Sequence, residues 1–115
     1  MRAKMIGIAL AVAGTMTSGP VAAKDPGKIR VYGYGAASCG TWIKARVTPE
    51  AASTYLYVAW VQGFVSAATS YAPDDFRQTD VDGMTAFMDD WCAKHPVQDI
   101  SVGAMALLDA LRDNP

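Results

Sequence analysis

Cys39 and Cys92 are the only two cysteines in a chain of 115 residues, and the compartment the chain enters decides what they do. Arg2 and Lys4 precede a run from Met5 to Thr17 that carries no charge, which is the basic and apolar order of a secretory signal. The run breaks at Ser18-Gly19-Pro20. Val21-Ala22-Ala23 then offers small side chains to a signal peptidase, with charged Lys24 and Asp25 beyond. Residues 1–23 are therefore expected to be a signal peptide cleaved after Ala23, and the protein to be periplasmic. A spanning helix needs about 20 apolar residues; this stretch is shorter, contains Gly and Thr and ends in a helix breaker, so no membrane anchor is expected to remain. Exported proteins keep disulfides, and two cysteines allow only one internal pairing, Cys39–Cys92. The closed loop of roughly 54 residues destabilises the unfolded chain by about 4 kcal/mol on the chain-entropy model, comparable with the whole stability of a small domain. A pair of reduced, metal-binding or redox thiols fits less well, because CxxC spacing and partner ligands are missing.

Loss of Arg2 and Lys4 with the signal leaves eight basic residues against eleven acidic ones, a formal charge of −3. A mildly acidic domain without a basic run has no electrostatic footprint for nucleic acid or anionic lipid. Three of the six methionines, Met1, Met5 and Met16, also leave, so a Met-rich binding surface is not expected. The remainder suits one domain with a modest core.

Residues 24–37 hold three glycines, a proline and a short alternation of Ile29 and Val31 with Arg30 and Tyr32. They read as an extended, partly mobile lead-in with a strand fragment at most. Gly33-Tyr34-Gly35 lacks the third spaced glycine and the Lys-Ser/Thr of a phosphate-binding loop.

Residues 38–115 read as a helical domain. Ser38 is placed to cap a short helix from Cys39 to about Arg46, with Trp42 and Ile43 facing inward. Thr48-Pro49-Glu50 combines an N-cap hydroxyl, a proline at the first helical position and a carboxylate at the positive end of the dipole, so a second helix is expected from about Pro49 to Tyr71. Its apolar or small residues fall at 52, 55, 56, 59, 60, 63, 64 and 67 with helical spacing. Tyr55, Leu56, Trp60, Gly63 and Phe64 form the candidate stripe, as core or as binding surface. Gly63 costs about 1 kcal/mol of helix propensity, and the simplest offset is a neighbouring helix packed against it. No charged side chain occurs between Glu50 and Asp74, which predicts a central helix.

Thr79 with Asp82 three residues on resembles a capping box and predicts a third helix from about Asp80 to Lys94, with Met84, Phe87, Met88 and Trp91 inward and Pro96 as the stop. A fourth helix, about Asp99 to Arg112, turns Ile100, Ala104, Leu107, Leu108 and Leu111 to one face. Four helical segments without a strong strand pattern predict an all-α, four-helix-type bundle closed by one disulfide.

Catalytic chemistry finds no foothold. His95 is the single histidine, and an imidazole at a helix end is accounted for by the dipole. The carboxylate pairs Asp74-Asp75, Asp80/Asp82 and Asp89-Asp90 miss EF-hand spacing, and adjacent helical carboxylates point to different sides of the cylinder, so solvated surface charge is expected. No GxSxG turn is present. The sequence predicts no enzyme, no cofactor and no metal.

Cys39 in SCGTW, the long helix YVAWVQGFVSA, Cys92 in WCAKHP and the Ala/Leu-rich terminal helix together resemble the small exported HdeA/HdeB-like proteins over nearly all of the mature chain. The resemblance implies a single-domain helical periplasmic protein with one disulfide bracketing its central helices. It also implies acid-stress chaperone activity on unfolded clients, and partners that are other proteins or a second copy of the chain. A runner-up resemblance is to periplasmic immunity proteins of the type VI secretion Rap/Tai kind, which occlude a toxin through one dedicated contact; those usually carry more cysteines. A subunit of an envelope assembly is the third reading.

Overall fold

The computed structural model describes residues 14, 30–48 and 51–112. The expected signal and its cleavage site, Ile29, Pro49-Glu50 and the terminal Asn-Pro lie outside them, apart from Gly14. Four α-helices follow one another: α1 (Cys39–Val47), α2 (Ala52–Thr69), α3 (Val81–Lys94) and α4 (Ile100–Leu111). Two short 3-10 turns, Gly33–Ala36 and Pro73–Asp75, complete the described elements, and no strand occurs among the described residues. The fold is all-α, as the helical periodicities predict.

Ser38 caps α1 by accepting from the backbone N–H of Thr41, satisfying one of the orphan donors of the first turn. Lys44 and Arg46 in the last turn suit the negative end of its dipole. The disulfide Cys39–Cys92 ties the start of α1 to the end of α3, with both residues fully buried. Around it pack Trp42, Val61, Met88, Ile100, Ala104 and Leu107. The start of α1 is also stitched to the α3–α4 turn, since Cys39 N–H donates to the Gln98 carbonyl at 2.7 Å and Gly40 N–H to that of Pro96 at 2.9 Å.

The helix starts differ from expectation in two places. Ala51 is the N-cap of α2 and makes no side-chain cap bond. Thr48 ends α1 instead, its hydroxyl donating back to the Lys44 carbonyl at 2.6 Å. Its side chain is thereby committed to the preceding helix. For α3 the cap is Asp80, which accepts from Gly83 N–H at 2.8 Å; a carboxylate is the better acceptor for that donor, so Thr79 is not the cap. α2 ends at Thr69 rather than Tyr71, where Thr69 and Ser70 turn their hydroxyls onto the carbonyls of Val65 and Ala67 and Pro73 lies just beyond.

Of the lead-in, residues 30–37 are described, and they include the 3-10 turn Gly33–Ala36. From Tyr32 onward it is docked on α2: the Trp60 indole N–H donates to the Tyr32 carbonyl at 2.9 Å, and Tyr34 meets Tyr57 edge to face at 5.3 Å. Gly35 is buried because the Trp60 ring occupies the space a side chain there would need.

Candidate functional site

α2 carries no charge over Ala52–Thr69, and its apolar and small residues spread around the axis with Ser53, Thr54, Gln62, Ser66 and Thr69 between them, so periodicity alone does not fix its rotation. In the fold Val61 and Val65 face the core, with Tyr57, Val58, Trp60 and Phe64 packed against it. The candidate stripe is therefore split. Trp60 and Phe64 stack on each other, ring centroids 5.3 Å apart, and turn toward the core and the docked lead-in. Tyr55 is 79% exposed and Leu56 43%; Ala52, Ala59, Gly63 and Ala67 are exposed with them. A Cβ added at Gly63 meets nothing within 4 Å, which overturns the expectation of a neighbouring helix packed there. The glycine that does admit a neighbour is Gly103 of α4, where an added Cβ would stand 2.8 Å from Met88 Cε and 2.8 Å from Trp91 Cε3. The outer face of α2 is thus an uncharged strip of small residues, the exposed Ser66 among them, with Tyr55 and Leu56 toward its N-terminal end.

A second feature lies between α1 and α3. Asp89 Oδ1 accepts from Trp42 Nε1 at 2.8 Å and from Arg46 Nε at 2.9 Å, while Oδ2 accepts from Arg46 Nη2 at 2.8 Å. Asp89 is consequently not the solvated surface charge its sequence neighbourhood predicts. Partial burial pushes its carboxyl upward, but the hydrogen bonds from Arg46 and Trp42 and the guanidinium charge outweigh that and hold it below the ordinary value of 3.8. The same bond to Asp89 raises Arg46. The signal for this node was present: Trp42 lies one helical turn after Cys39, and Asp89 one turn before Cys92. Once the disulfide pairs the helices, antiparallel geometry brings those two positions together. Asp90 forms an i,i+4 pair with Lys94 at 2.8 Å, an exposed pair of small energetic weight.

His95 closes α3 as its C-cap, with Nδ1 at 2.9 Å from the Trp91 carbonyl and its ring stacked on Trp91 at 4.2 Å. Two shallow clefts flank the bundle. One of about 310 Å³ is lined by Arg46, Thr54, Tyr55, Val58 and Asp89 among others, and one of about 510 Å³ by Val65, Thr69, Phe76, Gln78 and Met84 among others. No buried side-chain polar atom among the described residues lacks a partner. Among the described residues no three metal-ligating side chains come together, and no helix is long and apolar enough to cross a membrane.

Compared with known proteins, the chain matches no family model, no curated protein and no solved structure.

Proposed function

We propose that the protein is an exported protein-binding module, and that its binding takes the form of acid-stress chaperoning of unfolded clients in the periplasm. The observation that carries this reading is the outer face of α2, where Tyr55, Leu56, Ala59, Gly63 and Ala67 stand in solvent on a helix without a single charge. An uncharged exposed face with Tyr55 and Leu56 on it is suited to contact with another molecule, and its small residues let an extended apolar segment lie close to the helix. Acid supplies the occasion. Below about pH 3 the carboxylates are mostly neutral while the eight Lys/Arg stay charged, so these groups alone take the mature chain from −3 to about +8. Self-repulsion then loosens a small bundle, the disulfide limits how far it opens, and the charge keeps client complexes soluble. The resemblance to the HdeA/HdeB-like proteins points the same way.

The test is suppression of aggregation of an acid-denatured client at near-stoichiometric ratio, compared at pH 2–3 and pH 7. Protection confined to acid supports the reading. A domain that stays folded at pH 2, or loosens without protecting any client, removes it. One observation favours a second reading: the α2 face is exposed in the folded bundle, where no acid step is needed to present it. A single stoichiometric partner captured from envelope extract at neutral pH supports a dedicated contact, of the toxin-occluding immunity kind or of an envelope assembly.

A further inference from the structure

The cleft of about 310 Å³ where α1, α2 and α3 meet is rich in acceptors and poor in free donors. Among the described residues that line it Arg46 is the one cation, and it is already engaged: Nε and Nη2 donate to the two oxygens of Asp89, which also takes the indole N–H of Trp42. The Thr54 hydroxyl gives its proton to the Ala45 carbonyl at 2.7 Å and the Thr85 hydroxyl to the Val81 carbonyl at 2.7 Å, so both hydroxyl oxygens are left as acceptors. Asp82 is the second carboxylate of the cleft and has no ion-pair partner, since the pairs among the described residues are Arg46–Asp89 and Lys94–Asp90. Nor is Asp82 needed to cap α3, because Asp80 already accepts from Gly83 N–H at 2.8 Å. One cation against two carboxylates leaves a negative charge in surplus, in a cleft that also presents Val58, Val81 and the 79% exposed Tyr55.

We propose that this cleft is a binding site for a primary alkylammonium, and that the group it takes is the side chain of a lysine on a partner protein. Asp82, Thr54 and Thr85 supply acceptors equal in number to the three N–H donors of a lysine ammonium, and the Asp82 carboxylate offers the stronger, charge-assisted kind of hydrogen bond. Val58 and Val81 suit the four-carbon stem, which lysine lays along apolar surface while its head stays polar. The Tyr55 ring adds a face to which a cation is attracted. Small-molecule sites run from roughly 300 to 1,000 Å³, so a cleft of about 310 Å³ has room for one side chain and not for a large ligand. A free diamine carries the same head group but brings a second cation, which would find Arg46 as a neighbour and no second unpaired carboxylate among the described lining residues. The far end of a lysine side chain is uncharged backbone. A lysine partner fits the protein-binding part of the function proposed above and rests on it; acid-stress chaperoning is not required.

The test is an amide NMR titration of the oxidised protein at neutral pH with Nα-acetyl-lysine methylamide, run beside putrescine and tetramethylammonium. Saturable shifts centred on residues 54–58 and 81–86 are expected with the lysine probe, weaker binding with putrescine, and weaker still with tetramethylammonium, which has no N–H to donate. Asp82→Asn keeps the shape of an exposed side chain and removes its charge, so it is expected to weaken binding of the lysine probe by roughly tenfold or more, the ratio carried by a hydrogen bond to a charged group. Tyr55→Ala is expected to weaken it by roughly two- to fivefold. Asp109→Asn removes an exposed carboxylate of α4 outside the cleft and is expected to change nothing. Thr85→Val, the same shape without the oxygen, decides the matter by a severalfold loss if Asp82→Asn alters the fold. Shifts scattered over the surface carboxylates, undiminished binding in Asp82→Asn, equal effects of Asp82→Asn and Asp109→Asn, or tetramethylammonium binding as tightly as the lysine probe overturns the site. Putrescine binding more tightly than the lysine probe overturns lysine as its occupant. Client protection is read separately: its failure removes the chaperone reading and leaves a cleft that still binds the lysine probe.

Discussion

Gly103 of α4 lies directly under the ring of Trp91 of α3, with an added Cβ only 2.8 Å from ring atom Cε3 and 2.8 Å from Cε of Met88. The Met88 methyl can move, but Trp91 is held by its stack on His95. Gly103→Ala therefore improves helix propensity and still destabilises, by about 1–3 kcal/mol through overpacking. A urea midpoint at or above that of the wild type would show that α3 and α4 do not approach there.

Gly63 behaves in the opposite way. It is exposed on α2 with open space where a Cβ would go, so Gly63→Ala is expected to stabilise by up to about 1 kcal/mol, from helix propensity and reduced unfolded-chain entropy. The measurement is the same urea midpoint, and a loss of stability would place a covering element on that face.

These two glycines show what the sequence discloses and what it withholds. Both sit inside apolar helical patterns. In α4 Ile100, Ala104 and Leu107 are buried where the spacing puts them, although Val102 and Met105 of the same helix are exposed; Asp109 marks the wet side, so the inner face was legible. In α2 valine, alanine and aromatic residues surround the axis with no charge to mark the wet side, so the spacing of Tyr55, Leu56, Trp60 and Phe64 gave a helix without giving its rotation. The Cys39–Cys92 pairing was readable from the count, since two cysteines allow one internal bridge. The Asp89 node was legible only by combining that pairing with the one-turn spacing of Trp42 from Cys39 and of Asp89 from Cys92; taken by itself, a carboxylate next to a second carboxylate reads as surface.

The disulfide supplies the next expectation. Intact mass of the exported protein should begin at Lys24 and show no alkylation without prior reduction, and two alkylated cysteines would contradict the bridge. Reduction removes a constraint across a sequence separation of 53. It should lower stability by about 4 kcal/mol, seen as a marked fall in melting temperature at neutral pH.

A charge placed on the outer face of α2 separates binding from folding. Ala59 is exposed between Tyr55 and Gly63, so Ala59→Glu should change stability by no more than about 0.5 kcal/mol while lowering client or partner capture severalfold. Unchanged capture would move the binding surface off α2.

Asp89 makes stability depend on pH in a direction that follows from its environment. Its folded carboxyl is held below the ordinary value by Arg46 and Trp42 against the opposing effect of burial. Its stabilisation is therefore fully present above the unfolded value and is lost as pH falls through the lower, folded one. Both side chains of the ion pair are more than a third exposed, 39% for Asp89 and 35% for Arg46, so solvent screening keeps the pair's own contribution to about 1 kcal/mol. Asp89→Asn should accordingly be less stable than the wild type by that amount from neutral pH down to about 5, and the difference should shrink as pH falls below the ordinary carboxylate value and the wild-type carboxylate protonates. Asp89→Ala should be worse by a further amount of about 1–3 kcal/mol that does not change with pH, because it orphans the indole N–H of Trp42 inside the core. Urea titrations of the three proteins across pH 2–7 check both parts. A wild-type advantage over Asp89→Asn that persists unchanged at pH 2 would mean that Asp89 does not titrate in this range and that another carboxylate sets the acid response.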